Sequence, residues 1–179
     1  HVQKTNAANW EGGRRLLMNR SVQAAVIENG ASVILGEGLA YDRCSVGIVT
    51  NIVSDEEDLS RWDTQPTGGE YYTTPRSIYR TQVDVVLPSG HAVLNAEDEL
   101  VADFAELCDG EVIFFAVDPA NPTLLAHLAA GKRGVTVADK RVVLRSGADE
   151  IRLSRLVDAP YIGKAKQAKN IANVLAGVA

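Results

Sequence analysis

The sequence predicts an α/β domain with a mostly parallel sheet flanked by helices and a small antiparallel annex. Three observations predict it. Short, continuous apolar runs at 24–27, 46–49 and 112–117 have the composition of strands covered on both faces. Helical patterns begin near Asn95 and Asn121, between or after such runs. Three short alternating runs between 134 and 155, joined by turn residues, read as an antiparallel meander. Strands alternating with helices imply a parallel sheet, and the meander supplies the annex.

The chain has 179 residues, of which 46% are hydrophobic, enough for one globular core. Eighteen basic against 23 acidic residues leave a net charge of −5. That balance argues against a nucleic-acid partner and against an anionic membrane surface. No apolar run reaches the roughly 20 residues of a membrane helix, and no secretory signal pattern is present. Cys44 and Cys108 are the only cysteines, as expected of reduced core thiols in a cytoplasmic protein. The chain begins at His1 and ends inside a helical pattern, as an excised piece of something longer would.

Taken in order, Asn9 is placed to cap a helix through Trp10, Leu16, Leu17 and Met18. Gly12-Gly13-Arg14-Arg15 could receive an anion there, although a weak first turn with solvated arginines explains it more simply. The run 24–27 reads as a buried strand ending at Glu28, Asn29 and Gly30. The stretch 31–38 fits either a short helix or an extended segment. Strand 46–49 ends at Thr50 and Asn51. In parallel sheets ligands gather beyond the carboxyl ends of the strands, which makes Glu28, Thr50 and Asn51 candidate site residues.

The region 53–78 is irregular, with four consecutive acids at 55–58, two prolines and Gly68-Gly69. Such a run reads as a solvated loop or helix start rather than a metal cluster, because no His lies among it. Val83, Val85, Val86 and Leu87 suggest a strand, Pro88-Ser89-Gly90 a turn and 91–94 a second strand, together a hairpin. His91 and His127 are expected at the surface. Asn95 is expected to cap a helix whose first turn carries Glu97 and Asp98. Asn121-Pro122 opens another helix, which Gly131 stops. In the last helix Ala165, Ala168, Ile171, Ala172, Leu175 and Val178 share one side. Asn170 and Asn173, three apart, are surface neighbours. An Asn amide can read an adenine edge, although surface positions or caps are commoner for helical Asn.

The run VIENGASVILGEGLAYDRCSVGIVTNI resembles the central Mur-ligase-type domain of cyanophycin synthetase, a P-loop-type fold. RTQVDVVLPSGHAVLNAEDELVADFAELCDGEVIFF is similar to the next segment of that family, and KNIANVLAGVA to its closing helix. The likeness runs from about Ser21 to the end and is weakest between Val53 and Tyr79. It implies that 1–179 is a single, partial Mur-type central domain lacking the upstream phosphate loop. It implies an ATP-dependent ligase that adds Arg to the side-chain carboxylate of a polymer Asp, through an acyl phosphate. ATP and Mg²⁺ are the implied cofactors. A cyanophycin primer, Asp and Arg are the implied substrates, and a homo-oligomer is the implied assembly. Carried over by position, Glu28 is the Mg²⁺ ligand and Asn173, with Asn170 beside it, contacts adenine. Thr50 and Asn51 line the nucleotide cleft.

The sequence departs from the family at three points. No GxxxxGK[ST] pattern occurs. Asp55, Glu56, Glu57 and Asp58 stand where the family has a His after its Val-Thr-Asn strand. Ser32 and Val33 replace paired glycines. These departures keep two alternatives open: a catalytically inactive scaffold or oligomerisation module, and another Mur-type amino-acid ligase.

Overall fold

A computed structural model describes residues 8–52, 75–159, 162 and 168–179. The acidic run at 55–58 and most of the irregular region lie outside the described residues, as does the beginning of the last helical pattern. The chain divides into two compact units, His1–Arg43 with Val53–Tyr79, and Cys44–Ile52 with Arg80–Ala179.

In the first unit, helix α1 spans Trp10–Leu17. Asn9 caps it as expected, its side chain accepting from the Gly12 N–H at 2.8 Å. The Glu37 carboxylate accepts from the Trp10 N–H at 2.8 Å and satisfies another free donor of the first turn. The paired arginines are engaged on their own helix. Arg14 lies 5.3 Å from the Trp10 ring centroid, and Arg15 bonds Glu11 at 2.8 Å. Helix α2, Ala31–Gly36, settles the ambiguous segment as helical.

The buried strand expected at 24–27 is not formed. The segment joins no ladder, and Val26 is 96% exposed. Four apolar residues become a strand only if an edge pairs with them, and among the described residues none does. Glu28 therefore stands on an exposed, irregular segment and not at a strand tip.

The second unit holds a six-stranded sheet in the order β1-β2-β3-β4-β5-β6. The strands are β1 Cys44–Val49, β2 Val86–Asn95, β3 Glu111–Phe115, β4 Arg133–Ala138, β5 Arg141–Ser146 and β6 Asp149–Arg155. The first four run parallel, and β4, β5 and β6 pair antiparallel, which confirms the mostly parallel sheet with its annex. Helices α3 (Pro75–Asp84, of which Arg80–Asp84 belong to this unit), α4 (Glu99–Ala102, continued by a 3₁₀ turn Asp103–Leu107) and α5 (Pro122–Ala129) make the crossovers. All three crossovers step the same way along the sheet. With right-handed connections they therefore fall on one face. The last helix, α6 (Ala168–Val178), closes the other face.

The strand register sorts the core accordingly. Gly47, Ala92 and Val112 align across β1–β3, and a Cβ on Gly47 would strike the Gln82 carbonyl of α3. Val93, Ile113, Phe115 and Val135 pack with Leu175 and Ala176 of α6. Both faces of β2 over 92–94 and of β3 over 112–115 are buried, which is why those stretches are continuously apolar.

The expected hairpin is absent. Helix α3 runs to Asp84, and β2 is one strand through Pro88-Ser89-Gly90. Those turn residues form a bulge: the register against β1 jumps from Cys44↔Val86 to Val46↔His91. His91 is half-buried within β2, its Nε2 3.5 Å from Glu111. Asn95 is not the helix cap; Asp98 is, accepting from Leu100 and Val101. His127 is buried, contrary to the surface position expected. Its Nε2 is 3.0 Å from the Val112 carbonyl oxygen, and its ring meets Phe114 edge-on at 4.8 Å. Cys44 and Cys108 are free and half-buried; burial, and secondarily Cys108, pushes the Cys44 thiol above its ordinary range.

Candidate functional site at the carboxyl ends of the strands

Thr50 and Asn51 follow β1, where the strand-end rule put them. Thr50 Oγ1 donates to Asn51 Oδ1 at 3.2 Å. Two residues from the end of β2 region hold this turn. Asn95 Nδ2 donates to the Thr50 carbonyl at 2.8 Å, and Asp98 Oδ2 accepts from the Ile52 N–H at 3.0 Å.

The stitching continues toward β3. The Ala96 N–H donates to the Phe115 carbonyl at 2.9 Å. Glu97 Oε1 accepts from the Asp118 N–H at 2.9 Å, and Asn121 Nδ2 donates to the Ala96 carbonyl at 3.1 Å. Asn121 also caps α5, accepting from the Leu124 N–H at 3.0 Å. The ends of β1, β2 and β3 thus form a polar edge in which the side chains of Asn95, Glu97, Asp98 and Asn121 are engaged by main-chain groups.

Asn95, Glu97, Asp98, Asp118 and Asn121 were not among the residues that sequence pattern picks for this site. The available signal was a polar residue directly after the apolar run 92–94, the same signal that singled out Thr50 and Asn51. Asn170 and Asn173 sit three apart on α6, the first half-buried and the second exposed. Glu28 belongs to the other unit. Among the described residues no group of three His, Cys, Asp or Glu side chains converges to hold a metal. No helix among them is long and apolar enough to cross a membrane.

A curated cyanophycin synthetase from Synechocystis sp. is 31% identical to the chain over 175 residues, which is 98% of the chain. The chain belongs to the cyanophycin synthetase family. A cyanophycin synthetase from Crocosphaera subtropica is 31% identical over 161 residues, and one from Geminocystis herdmanii 30% over the same length, each covering 90% of the chain. The chain spans only 19% and 18% of the length of the Synechocystis and Crocosphaera cyanophycin synthetases. No protein-family model matches the chain.

Proposed function

We propose that this chain is part of an ATP-dependent amide ligase that adds Arg to the side-chain carboxylate of Asp in a growing cyanophycin polymer. One observation carries the reading: 98% of the chain aligns with a cyanophycin synthetase at 31% identity. A parallel sheet with an ordered polar edge at its carboxyl ends supports it, because that is where such sheets take ligands. The same reading makes 1–179 one partial Mur-type central domain, acting in the cytoplasm within a homo-oligomer on a cyanophycin primer, without nucleic acid or membrane.

The chemistry follows from the substrates. A carboxylate is a poor electrophile. Transfer of the γ-phosphoryl group of ATP to a carboxylate oxygen, with loss of ADP, makes an acyl phosphate. The Arg amine then attacks the carbonyl carbon, the amide bond forms and phosphate leaves. Thr50 and Asn51 line the nucleotide cleft in this reading, and Asn173 with Asn170 meets the adenine edge through amide donors and acceptors. Glu28 is the Mg²⁺ ligand. An exposed carboxylate fits that ion, which is commonly held by one or two protein carboxylates plus phosphates and waters. Bound Mg²⁺ supplies charge neutralisation at the phosphoryl oxygens.

The test is Arg incorporation by the full-length ligase supplied with primer, Asp, Arg and ATP. Glu28→Ala should lower incorporation by at least about a hundredfold, the scale of losing an electrostatic stabiliser. Retained incorporation removes Glu28 from the metal site. The 179-residue chain alone should neither hydrolyse ATP nor ligate, since it contains no GxxxxGK[ST] loop.

A second reading rests on the acids at 55–58 where the family has a His: an inactive scaffold or oligomerisation module. A full-length protein that incorporates neither Asp nor Arg would favour it. Turnover on a different amino acid would instead favour another Mur-type ligase.

A further inference from the structure

Two side chains bracket Asn51. The Thr50 carbonyl belongs to the peptide plane before the Asn51 Cα, and the Ile52 N–H to the plane after it. Asn95 Nδ2 holds the first at 2.8 Å, and Asp98 Oδ2 holds the second at 3.0 Å. Fixing both planes fixes φ and ψ of Asn51, and with them the direction of its side chain. Thr50 Oγ1, bonded to Asn51 Oδ1, then sets the rotation of the amide.

The bracket is itself immobilised. Asn95 is 8% exposed and uses both ends of its amide, Oδ1 accepting from the Glu97 N–H at 2.9 Å. A flipped amide would set oxygen against oxygen at Thr50. Asp98 is tied by its other oxygen to the Leu100 and Val101 N–H groups of α4.

We propose that Asn95 and Asp98 are positioning residues. They hold the Thr50–Asn51 turn in the one orientation that receives the nucleotide, and so set nucleotide affinity rather than the rate of the chemical step. This rests on the reading that Thr50 and Asn51 line the nucleotide cleft.

Asp98→Asn is the discriminating substitution. Asn is a good helix cap, but its single oxygen cannot serve both α4 and Ile52. Asn95→Asp, nearly isosteric, replaces the donor to Thr50 by an oxygen. Two measurements separate the layers of the proposal. The first is amide exchange in the 179-residue chain. Under Asp98→Asn the Ile52 N–H should exchange about tenfold faster or more, the effect of losing one hydrogen bond to a charged acceptor, while Val101 stays protected. The second is steady-state kinetics of the full-length ligase. KM for ATP should rise about tenfold, with kcat and KM for Arg within about twofold, the pattern of lost uniform binding.

Unchanged exchange at Ile52 overturns the bracket. Faster exchange with KM for ATP unmoved overturns the proposal by removing the turn from the nucleotide cleft. Equal losses for every substrate would show a general structural defect and also overturn it. Because Asn95→Asp loads a buried site and can compromise folding, Asp98→Asn, at a half-buried position, keeps the proposal testable.

Discussion

Asn95 is nearly buried, and both ends of its amide are spent on main-chain groups. Replacing its NH₂ by a carboxylate oxygen leaves the Thr50 carbonyl unpaired and buries a charge beside it. Asn95→Asp should therefore destabilise the chain by about 3 kcal/mol, read as a lower urea midpoint with unchanged slope. His127 gives a prediction with a pH signature. Burial holds its imidazole below the ordinary value of 6.5, and the Val112 carbonyl opposes this only in part. The folded chain binds this proton less readily than the unfolded one. Stability is therefore unaffected at pH 7.5 and above, falls as pH drops below about 6.5, and levels off under the folded pKa. Denaturation midpoints at pH 7.5 and 5.5 should differ for this reason, and His127→Gln, which cannot titrate, should narrow the gap. An unchanged gap sinks the assignment. Glu111 acts in a separate window. The Arg133 guanidinium, in a two-bond contact at 2.8 and 2.9 Å, lowers its pKa below 4.5, so its contribution is lost only at more acidic pH. Both side chains are more than a third exposed, and solvent keeps that contribution to at most about 1 kcal/mol.

At the scale of elements, the turn signal Pro88-Ser89-Gly90 marks a real break in regular pairing but not its kind. The break is a bulge in which β2 slides past Ser45. Its geometry depends on two glycines: a Cβ at Gly90 would lie 2.5 Å from the Ser45 carbonyl oxygen, and one at Gly110 would strike the carbonyls of Gly90 and Leu87. Gly110→Ala should cost about 1–3 kcal/mol by overpacking backbone against backbone, measured by thermal or urea unfolding; a neutral substitution would mean the bulge relaxes. What was legible follows from locality. The Asn9 cap, the Asn121-Pro122 start, the Gly131 stop and the meander are decided by neighbours within a turn, and all stand in the structure. The strand expected at 24–27 required a pairing edge that its own residues do not specify. The partners of Thr50 and Ile52 lie 45 and 46 residues away, beyond any local pattern. His127 was within reach of sequence reasoning, since it is three residues from Leu124 and so on the same buried side of α5.

Across the second unit, sequential strand order has a consequence for stability. Because each parallel strand adds beside its predecessor, α3, α4 and α5 share one face, and among the described residues α6, with Leu153 and Leu156, packs against the apolar side chains of the other. Val93, Ile113, Phe115, Val135 and Val142 depend on a helix of 11 residues, anchored by Leu175 and Ala176. Leu175 is fully buried, so Leu175→Ala should cost about 2–5 kcal/mol. Asn173, two positions away on the exposed side, should tolerate Ala within about 0.5 kcal/mol. Removing 168–179 altogether should leave the sheet with a wet apolar face, and the chain should bind a hydrophobic dye and unfold less cooperatively than the intact chain. The same pair of substitutions separates the two jobs of this helix. Under the proposed function, Asn173→Ala in the full-length protein should raise KM for ATP at unchanged stability, whereas Leu175→Ala should lower the unfolding midpoint and leave KM for ATP of the folded fraction unmoved. An Asn173→Ala enzyme with wild-type KM for ATP would leave α6 a purely structural cover and remove the adenine contact from the proposed site.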